Sequence, residues 1–396
     1  MKKTILLITL LLSVSFARAQ WQMNSLNTVE AICIAAQDTM VCVGSNNYVF
    51  VSMDNGNTWL ANNTGLPQVS IHDILISNSG IFAGTLMGVY LSTDNGNAWT
   101  AINSGLTDSI VFSLAKMDTN VIVGTHHGGV YIYNNNGTWS PVGSGLLNHN
   151  VYSLVSDGTT IYAGCDSGKV FKSVNLGTWT LVNSGLPNTD IISLLIHGTV
   201  IFAGTLGNGV YMSTDNGLSW NVANNGLMGV TVRTFSTAGI NVFAGTENGV
   251  YVSNNNASQW TEMNTGITTP FDTIVRSISV SNSYVFIALN LPVPTYQIWS
   301  LPISEITEID EKTNPSNFIQ YPNPATDELN IVFNDAAATE AIVEIHDLLG
   351  KLIERVPLKS GVAYNYNTQS LQKSIYMVSL YINGKLVDNK KLLLIE

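Results

Sequence analysis

Apolar and polar residues alternate along this chain in short runs that are separated by turns rich in Gly and Asn. Val111 to Leu114 and Gly88 to Leu91 are examples of such runs. Alternation with a period of two is typical of half-buried strands, because successive side chains of a strand point to opposite faces. Helical periodicity is absent, so the pattern predicts an all-β protein.

Tryptophans mark a repeat of about 40 residues. They are Trp59, Trp99, Trp139, Trp179, Trp220 and Trp260, spaced by 40, 40, 40, 41 and 40 residues. Each is followed by a turn such as Asn103-Ser104-Gly105-Leu106, and within each period a strand ends in a motif such as Gly84-Thr85. Four short strands in a period of this length are typical of one blade of a β-propeller.

Counting the innermost strands gives the number of blades. They begin near Ala31, Ile71, Val111, Val151, Ile191, Val232 and Val275. We therefore predict a seven-bladed propeller over residues 20–303. The seventh repeat lacks a strand that opens with Trp, so we expect Trp21 to Ser25 to supply its outer strand. That pairing would close the ring and leave only short, protected edges.

Three repeats carry an intact S-x-D-x-G-x-x-W pattern. Its members are Ser52, Asp54, Gly56 and Trp59; Ser92, Asp94, Gly96 and Trp99; and Ser213, Asp215, Gly217 and Trp220. The pattern resembles the Asp-box of bacterial-neuraminidase-type repeats, which occurs in sialidases, xyloglucanases, sortilin-type receptors and photosystem II assembly factors. Asp and Ser side chains can bond backbone amides inside a tight turn, and Gly permits a positive φ. We predict that these carboxylates form turns and are not catalytic acids.

The first residues have the features of a signal peptide. Lys2 and Lys3 precede an apolar run from Ile5 to Phe16, and Ala17-Arg18-Ala19 offers small residues for cleavage before Gln20. Residues 1–19 are thus predicted to be removed on export. The run is too short to span a bilayer as a helix, and no later stretch is long and apolar enough, so we expect no transmembrane segment.

Charge and motifs narrow the possible functions. The net charge is −11, and loss of the three basic residues of the leader would lower it to −14. Nucleic-acid binding needs a basic surface for phosphates, so it is not expected. No P-loop or G-x-S-x-G motif is present, and the adjacent His126 and His127 lack the spacing of metal ligands. We predict no metal and no cofactor.

Three cysteines would remain after export. Cys33 and Cys42 flank a turn that is predicted at Gln37-Asp38, which would place them opposite each other on paired strands. A disulfide between them and two free thiols are both compatible with an oxidising compartment. Cys165 has no evident partner and is predicted to be a buried free thiol.

The last part of the chain has a different pattern. Acidic residues cluster over residues 304–316, which predicts a linker, and residues 317–396 form a second all-β pattern. Tyr321-Pro322-Asn323-Pro324, the turn from Asp347 to Lys351 and the strand from Leu386 to Ile395 resemble the type A C-terminal sorting domains of the type IX secretion system. Lys373-Ser374 departs from the usual glycine there.

The resemblance implies a small β-sandwich that interacts with the outer-membrane type IX machinery. It would direct the protein to the outer cell surface or to secretion, and it would be removed while the cargo is released or fixed to surface lipopolysaccharide. A C-terminal carbohydrate-binding sandwich is the alternative.

One register of the repeat varies, while the residue before it is uniformly aliphatic or Ala. It holds Ile32, His72, Phe112, Tyr152, Ile192, Arg233 and Arg276. We expect these residues at the mouth of the central channel, near the loops that carry His126, His127, Asp166 and Glu247. Arg233 and Arg276 could bind an anion, and Tyr152 and Phe112 could stack against a sugar or a peptide. His72 is a further candidate ligand contact. Alternatively, the arginines pair with Glu30, Asp73 or Asp272, and the aromatic residues plug the channel.

These features favour a binding module over an enzyme. Sialidases use three arginines and a tyrosine nucleophile, whereas the predicted propeller contains only Arg233 and Arg276, so the resemblance fails at those functional positions. We predict a propeller that binds a glycan or a protein and has no catalytic residues. A glycoside hydrolase that uses propeller carboxylates, and an assembly factor that grips a protein client, are the alternatives.

Overall fold

The structure is a computed structural model. It describes residues 20–26, 30–134, 136–146, 149–267, 273–290, 296–307, 319–321, 326–332, 341–347, 351–360, 362, 364–383 and 385–394. The predicted signal peptide lies outside these residues. Two compact units make up the chain, residues 1–309 and 310–396. Among the described residues, no helix has the length and apolarity needed to cross a membrane.

In its described residues, the first unit contains seven antiparallel sheets, which are the blades of a propeller. Blades 1 to 3 are built from β2 (Cys33–Gln37), β3 (Met40–Gly44) and β4 (Val49–Ser52); β5 (Ile71–Ser77), β6 (Gly80–Thr85), β7 (Gly88–Ser92) and β8 (Thr100–Ala101); and β9 (Val111–Met117), β10 (Asn120–Thr125), β11 (Val130–Tyr133) and β12 (Trp139–Pro141). A bridge between Val51 and Leu60 extends blade 1.

Blades 4 to 6 repeat the same order. Their strands are β13 (Val151–Ser156), β14 (Thr160–Cys165), β15 (Val170–Val174) and β16 (Thr180–Leu181); β17 (Ile191–His197), β18 (Val200–Thr205), β19 (Val210–Ser213) and β20 (Asn221–Val222); and β21 (Val232–Ala238), β22 (Asn241–Thr246), β23 (Gly249–Ser253) and β24 (Thr261–Glu262). A single 3-10 turn, Asp166–Gly168, follows β14.

Blade 7 combines strands from both ends of the unit. It consists of β25 (Ile274–Val280), β26 (Tyr284–Asn290), β27 (Tyr296–Pro302) and β1 (Gln22–Met23). Gln22 pairs with Ser300 and Met23 with Trp299, so β1 is the outer strand of this blade. The inner strand β25 contacts β2 of blade 1 as well as β21 of blade 6. These two connections close the ring.

Tryptophans tie five of the seven blades to the blade before them. In four blades the indole N–H donates to a carbonyl near the outer strand of the preceding blade: Trp139 to Ile102, Trp179 to Val142, Trp220 to Val182 and Trp260 to Ala223. Trp21 makes the equivalent bond from blade 7, to the carbonyl of Met263 at 2.7 Å. The bond is not made in blades 1 and 2, where Trp59 donates to the carbonyl of Gly56 in its own turn and the buried Nε1 of Trp99 has no hydrogen-bond partner among the described residues.

A second ring of bonds joins the inner strands. One position in each inner strand contacts the following blade, and we call these residues the interblade register: Cys33, Asp73, Ser113, Ser153, Ser193, Thr234 and Ser277. Their side chains donate to the carbonyls of Ile71, Val151 and Val232 or accept from the amides of Leu114, Leu194, Ile278 and Ile34, at 2.7–3.5 Å. The last of these bonds runs from blade 7 to blade 1.

The Asp-box residues form the turn between the third and fourth strands of a blade. Ser52 donates its hydroxyl to Asp54 at 2.7 Å and accepts the amide of Gly56 at 2.8 Å. Asp54 also accepts the amide and the hydroxyl of Thr58. Gly56 has a φ of +84°, and a Cβ there would lie 2.1 Å from the Asn24 side chain. Asp94 and Asp215 make the same bonds with their serines. These carboxylates are engaged in turn bonds.

The cysteine register differs from the prediction. Cys33 pairs with Gly44 and Ala35 with Cys42, so the two cysteines are not opposite each other. The turn lies one residue later than expected, because Asp38 takes a φ of +53° and Asp adopts that conformation more readily than Gln. Cys33, Cys42 and Cys165 are all buried free thiols. Burial raises the pKa of the Cys42 thiol to about 12.

The predicted linker also begins too early. Residues 303–307 form the helix α1 (Ile303–Thr307), and Ile306 is buried in the core of blade 7 beside Trp299 and Leu301. The acidic pattern hid this contact, since only two isoleucines, Ile306 and the half-buried Ile303, do the packing. Glu305 accepts the backbone amide of Gln20 at 3.2 Å. Residues 308–316 lie outside the described residues.

The second unit has two antiparallel sheets. Their strands are β28 (Ile319–Tyr321), β29 (Glu328–Val332), β30 (Ala341–Asp347), β31 (Leu352–Leu358), β32 (Tyr364–Asn367), β33 (Ile375–Ile382) and β34 (Lys385–Leu393). The orders are β28-β29-β32 and β31-β30-β33-β34. Leu329 and Ile331 of the first sheet and Val343, Ile345 and Val378 of the second are fully buried in one core, so the unit is a β-sandwich.

Replacing Asp54 by Ala is expected to lower the midpoint of thermal unfolding by a few degrees, while Asp54→Asn lowers it less. Asn255 occupies the same place in blade 6, where it accepts from Ser253 and from the amide of Gln259. The bonds from Thr58 lower the pKa of Asp54 from 3.8 to about 2. The contribution of Asp54 to the free energy of unfolding is therefore present above pH 4 and is lost as the pH falls toward 2. Calorimetry of the three proteins across that range measures this; equal midpoints at pH 7 would contradict it.

Asp73 is the carboxylate of the interblade register, and burial between the blades raises its pKa from 3.8 to about 7. Between these values the folded protein binds more protons than the unfolded one, so its stability falls as the pH rises from about 4 to about 7. Asp73→Ser places there the residue found in four other blades. We expect it to gain about 1–3 kcal/mol over the wild type at pH 8. Urea unfolding at pH 5 and pH 8 measures this, with Asp73→Asn as a second non-titrating variant. A gain equal at both pH values would contradict it.

Candidate ligand-binding site

The variable register coincides with a structural irregularity. In blades 2 to 7, the pairing of the two inner strands shifts by one residue at His72, Phe112, Tyr152, Ile192, Arg233 and Arg276. Ile32 directly precedes β2. A β-bulge adds one unpaired residue and re-aims its side chain. We call these seven residues the mouth ring.

Burial separates the mouth ring from its neighbours. Each mouth-ring residue is half-buried, whereas the residue before it is buried in every blade. Those preceding residues are Ala31, Ile71, Val111, Val151, Ile191, Val232 and Val275. The residue that follows belongs to the interblade register, which points to the next blade. Packing thus constrains the residue before and the residue after each mouth-ring position, while the mouth-ring position itself is free to vary.

The Gly-Thr motifs allow the blades to approach at this level. A Cβ on Gly84 would lie 2.8 Å from the Cγ1 of Val111 in the next blade, too close for any other residue. Thr85 then donates its hydroxyl to the carbonyl of Gly88 at 2.9 Å, which closes the loop beside the mouth ring. Thr246 makes the same bond to Gly249.

Three of the predicted ligand contacts form a continuous aromatic arc. The rings of His72 and Phe112 stack with centroids 5.4 Å apart, and those of Phe112 and Tyr152 are 5.3 Å apart. Nδ1 of His72 lies 3.1 Å from the carbonyl of Val111. Burial lowers the pKa of His72, so its imidazole is neutral at neutral pH. The ring of Phe112 therefore packs between those of His72 and Tyr152.

Arg233 and Arg276 lie on adjacent blades and form a cationic arc. The pKa of Arg233 is lowered, first by burial and then by the charge of Arg276, and Glu247 acts in the opposite direction. Among the described residues, no carboxylate oxygen lies within 4.0 Å of either guanidinium. The buried Nε of Arg233 has no hydrogen-bond partner.

The carboxylates proposed as ion-pair partners are engaged elsewhere. Glu30 accepts from the side chain of Asn46, and Asp73 accepts the backbone amides of Ile74 and Leu114. Asp272 lies outside the described residues. The arginines therefore do not pair with Glu30 or Asp73, and the sequence alone could not show this because it gives residue types but not the bonds they make.

The loop carboxylates brace the loops around the mouth. Asp166 accepts the amide of Asn150 at 3.0 Å and lies 3.1 Å from Nδ1 of His149. Glu247 accepts the amides of Val230 and Thr231. Both residues hold the preceding interblade loop to the loop that follows Gly-Thr or Gly-Cys.

Sequence analysis missed an exposed apolar ledge next to the cationic arc. Leu206, Met228 and Val230 are 46%, 74% and 53% exposed. Leu206 bridges to Thr231, and the amide of Gly209 donates to the carbonyl of Val230 at 2.6 Å, so the two loops are joined. Two residues separate Val230 from Arg233. The feature of the sequence that could have indicated this ledge is the absence of charged residues around Leu206 and Met228.

Known proteins resemble this chain in two separate ways, in the sequence of its C-terminal tail and in its fold. Residues 320–395 match the secretion system C-terminal sorting domain. This match implies export to the outer surface or secretion through the type IX system. No curated protein matches the chain in sequence.

Solved structures share the fold. The chain is similar to PorZ, described as an essential surface component of the type-IX secretion system of Porphyromonas gingivalis, with 14% identity, a TM-score of 0.54, and coverage of 92% of this chain and 59% of that one. It thus spans about three fifths of that protein. YCF48 bound to D1 peptide has 12% identity, a TM-score of 0.56, and coverage of 73% and 96%.

A third relative in structure is the extracellular domain of a putative hybrid two-component system, BT4673 from B. thetaiotaomicron. Its identity is 10%, its TM-score is 0.56, and coverage is 96% of this chain and 59% of that one. At identities this low, the similarities show the fold alone.

Arg233→Met is expected to leave the free energy of unfolding unchanged or to raise it, since the variant removes a desolvated charge that has a like charge beside it. The neighbouring Thr234→Val serves as the matched control. It removes the acceptor of the Ile278 amide, a 3.2 Å interblade bond, and should cost about 1 kcal/mol. Urea unfolding measures both variants. A loss for Arg233→Met as large as that for Thr234→Val would identify the arginine as a structural residue.

Proposed function

We propose that this protein is an exported, non-catalytic propeller that binds an anionic segment of a partner protein at the mouth ring. The observation that carries the proposal is the cationic arc: Arg233 and Arg276 lie side by side, without a described carboxylate within ion-pair distance. Guanidinium groups in that state form strong charge-assisted bonds to a carboxylate. A negative ligand would relieve the repulsion between them.

Two further features favour a peptide over a glycan. The apolar ledge of Leu206, Met228 and Val230 offers exposed hydrophobic surface beside the arginines, which suits an apolar side chain next to an acidic one. The aromatic arc suits a sugar less well, because its central ring, Phe112, packs between His72 and Tyr152. YCF48, whose fold is similar, is described as bound to a peptide.

The competing functions use the same surface differently. A neutral glycan would contact the aromatic arc and would not depend on the arginines. A glycoside hydrolase would need two carboxylates that converge on a bound sugar, one of them with a raised pKa. Asp166 and Glu247 each bond backbone amides in separate blades, which favours a bracing role for both.

Selection from a random-peptide display library, using the full chain without an affinity tag, tests the proposal. We expect the selected peptides to combine acidic and apolar residues, and to bind more than tenfold more weakly to the Arg233→Met/Arg276→Met variant. Lys116→Met is the matched control, since Lys116 lies at the opposite end of an inner strand, where it donates to Gln37. That variant should bind like the wild type.

A glycan array probed with the same protein separates the alternatives. Selected peptides that bind equally well to the double variant would overturn the assignment of the arginines. Capture of glycans without peptides would overturn the peptide assignment, and hydrolysis of a captured glycan would show an enzyme.

A further inference from the structure

We propose that Asp108, His126 and His127 form a binding site for a divalent transition-metal ion of the Zn²⁺ type. Each residue offers one donor atom, and the three donor atoms lie within 4.8 Å of one another. The inference does not rest on the proposed function, because it uses different side chains in blade 3 and its adjoining loops.

The backbone makes two adjacent histidines converge. In an extended strand, neighbouring side chains point to opposite faces, so adjacent histidines would diverge. Residues 126–128 instead form the bend between β10 and β11. The Nδ1 atoms of His126 and His127 face each other at 2.5 Å, with the rings at 79°. Adjacency in sequence therefore does not prevent a shared ligand position.

The third donor is held in place by the same bend. Asp108 accepts the amide of His127 at 2.7 Å and that of Ile110 at 2.9 Å. A Cβ on Gly128 would lie 2.9 Å from the Cβ of Asp108, so the bend can approach the carboxylate only with glycine there. Such supporting bonds orient a metal ligand before the ion arrives.

The chemistry of the donors indicates the class of ion. Two imidazole nitrogens and one carboxylate oxygen suit Zn²⁺ and related transition ions, whereas Ca²⁺ and Mg²⁺ prefer oxygen alone. At Zn–N distances of about 2.0–2.1 Å, a tetrahedral ion would hold the two nitrogens roughly 3.3 Å apart. The exposed His127 can turn outward by the needed distance, of under about 1 Å.

Three protein ligands leave at least one coordination position open. The site also adjoins the aromatic arc, since the ring of His126 lies 5.8 Å from that of Phe112. A bound ion would place a positive charge at this side of the mouth ring, where the rings of His72 and Phe112 are uncharged. An incoming carboxylate or carbonyl oxygen could then complete its coordination.

Isothermal titration of the untagged full chain with Zn²⁺ tests the site. We expect saturable binding of one ion, and a loss of affinity of more than about tenfold in His126→Ala, in His127→Ala and in Asp108→Asn. His149→Ala is the matched control, because His149 lies one blade further on and contacts a single carboxylate, Asp166. It should bind Zn²⁺ like the wild type, and Ca²⁺ should not compete.

A second readout separates lost ligation from lost folding. The metal-free variants should melt at the same temperature as the wild type, because none of the three side chains is fully buried. Co²⁺ should give the visible absorption of a four- or five-coordinate ion in the wild type, and this signal should be absent in the variants. No saturable Zn²⁺ binding, or binding that survives both histidine substitutions, would overturn the proposal.

Discussion

The contact between neighbouring inner strands is the constraint on which this propeller depends. The interblade register makes it with whatever side chain is present: a thiol in Cys33, a carboxylate in Asp73, and hydroxyls elsewhere. Three of these side chains donate a hydrogen bond and four accept one, but the partner is always the backbone of the next inner strand. The seventh contact, from Ser277 to Ile34, returns to the first blade, so no inner strand lacks a neighbour.

The candidate site follows from that constraint. Each β-bulge places a mouth-ring residue directly before an interblade residue, so one strand position supports the ring while the previous one is open to variation. This explains how Phe112, Arg233 and Ile192 can occupy equivalent positions without change to the frame. The blade scaffold thus presents seven side chains at equivalent positions, and the chemistry of the mouth ring depends on which of them are aromatic or cationic.

Much of the fold could be predicted from the sequence, because its signals are local. The spacing of the tryptophans reflects a bond that recurs between blades, as in Trp179 to Val142, and alternation reveals the strands. The register that became the mouth ring was also visible as a variable position. The all-β class and the seven blades followed from these patterns.

Other features could not be predicted from the sequence. They depend on a shift of one residue in strand pairing, or on hydrogen bonds to the backbone. The turn at Asp38 moves Cys42 opposite Ala35, Ile306 docks an acidic segment onto blade 7, and Asp73 gives its oxygens to amides instead of an arginine. The convergence of His126 and His127 is of the same kind, because it arises from a bend and not from spacing.

Hydrogen–deuterium exchange of the full chain, with and without a selected peptide, tests most directly where the ligand lies. We expect slower exchange confined to the starts of the inner strands, around residues 232–234 and 275–277, and to the loop around residues 228–231. The Asp-box turns, such as residues 52–59 and 213–220, should be unchanged. Protection of those turns, with none at the mouth ring, would show that the peptide binds elsewhere.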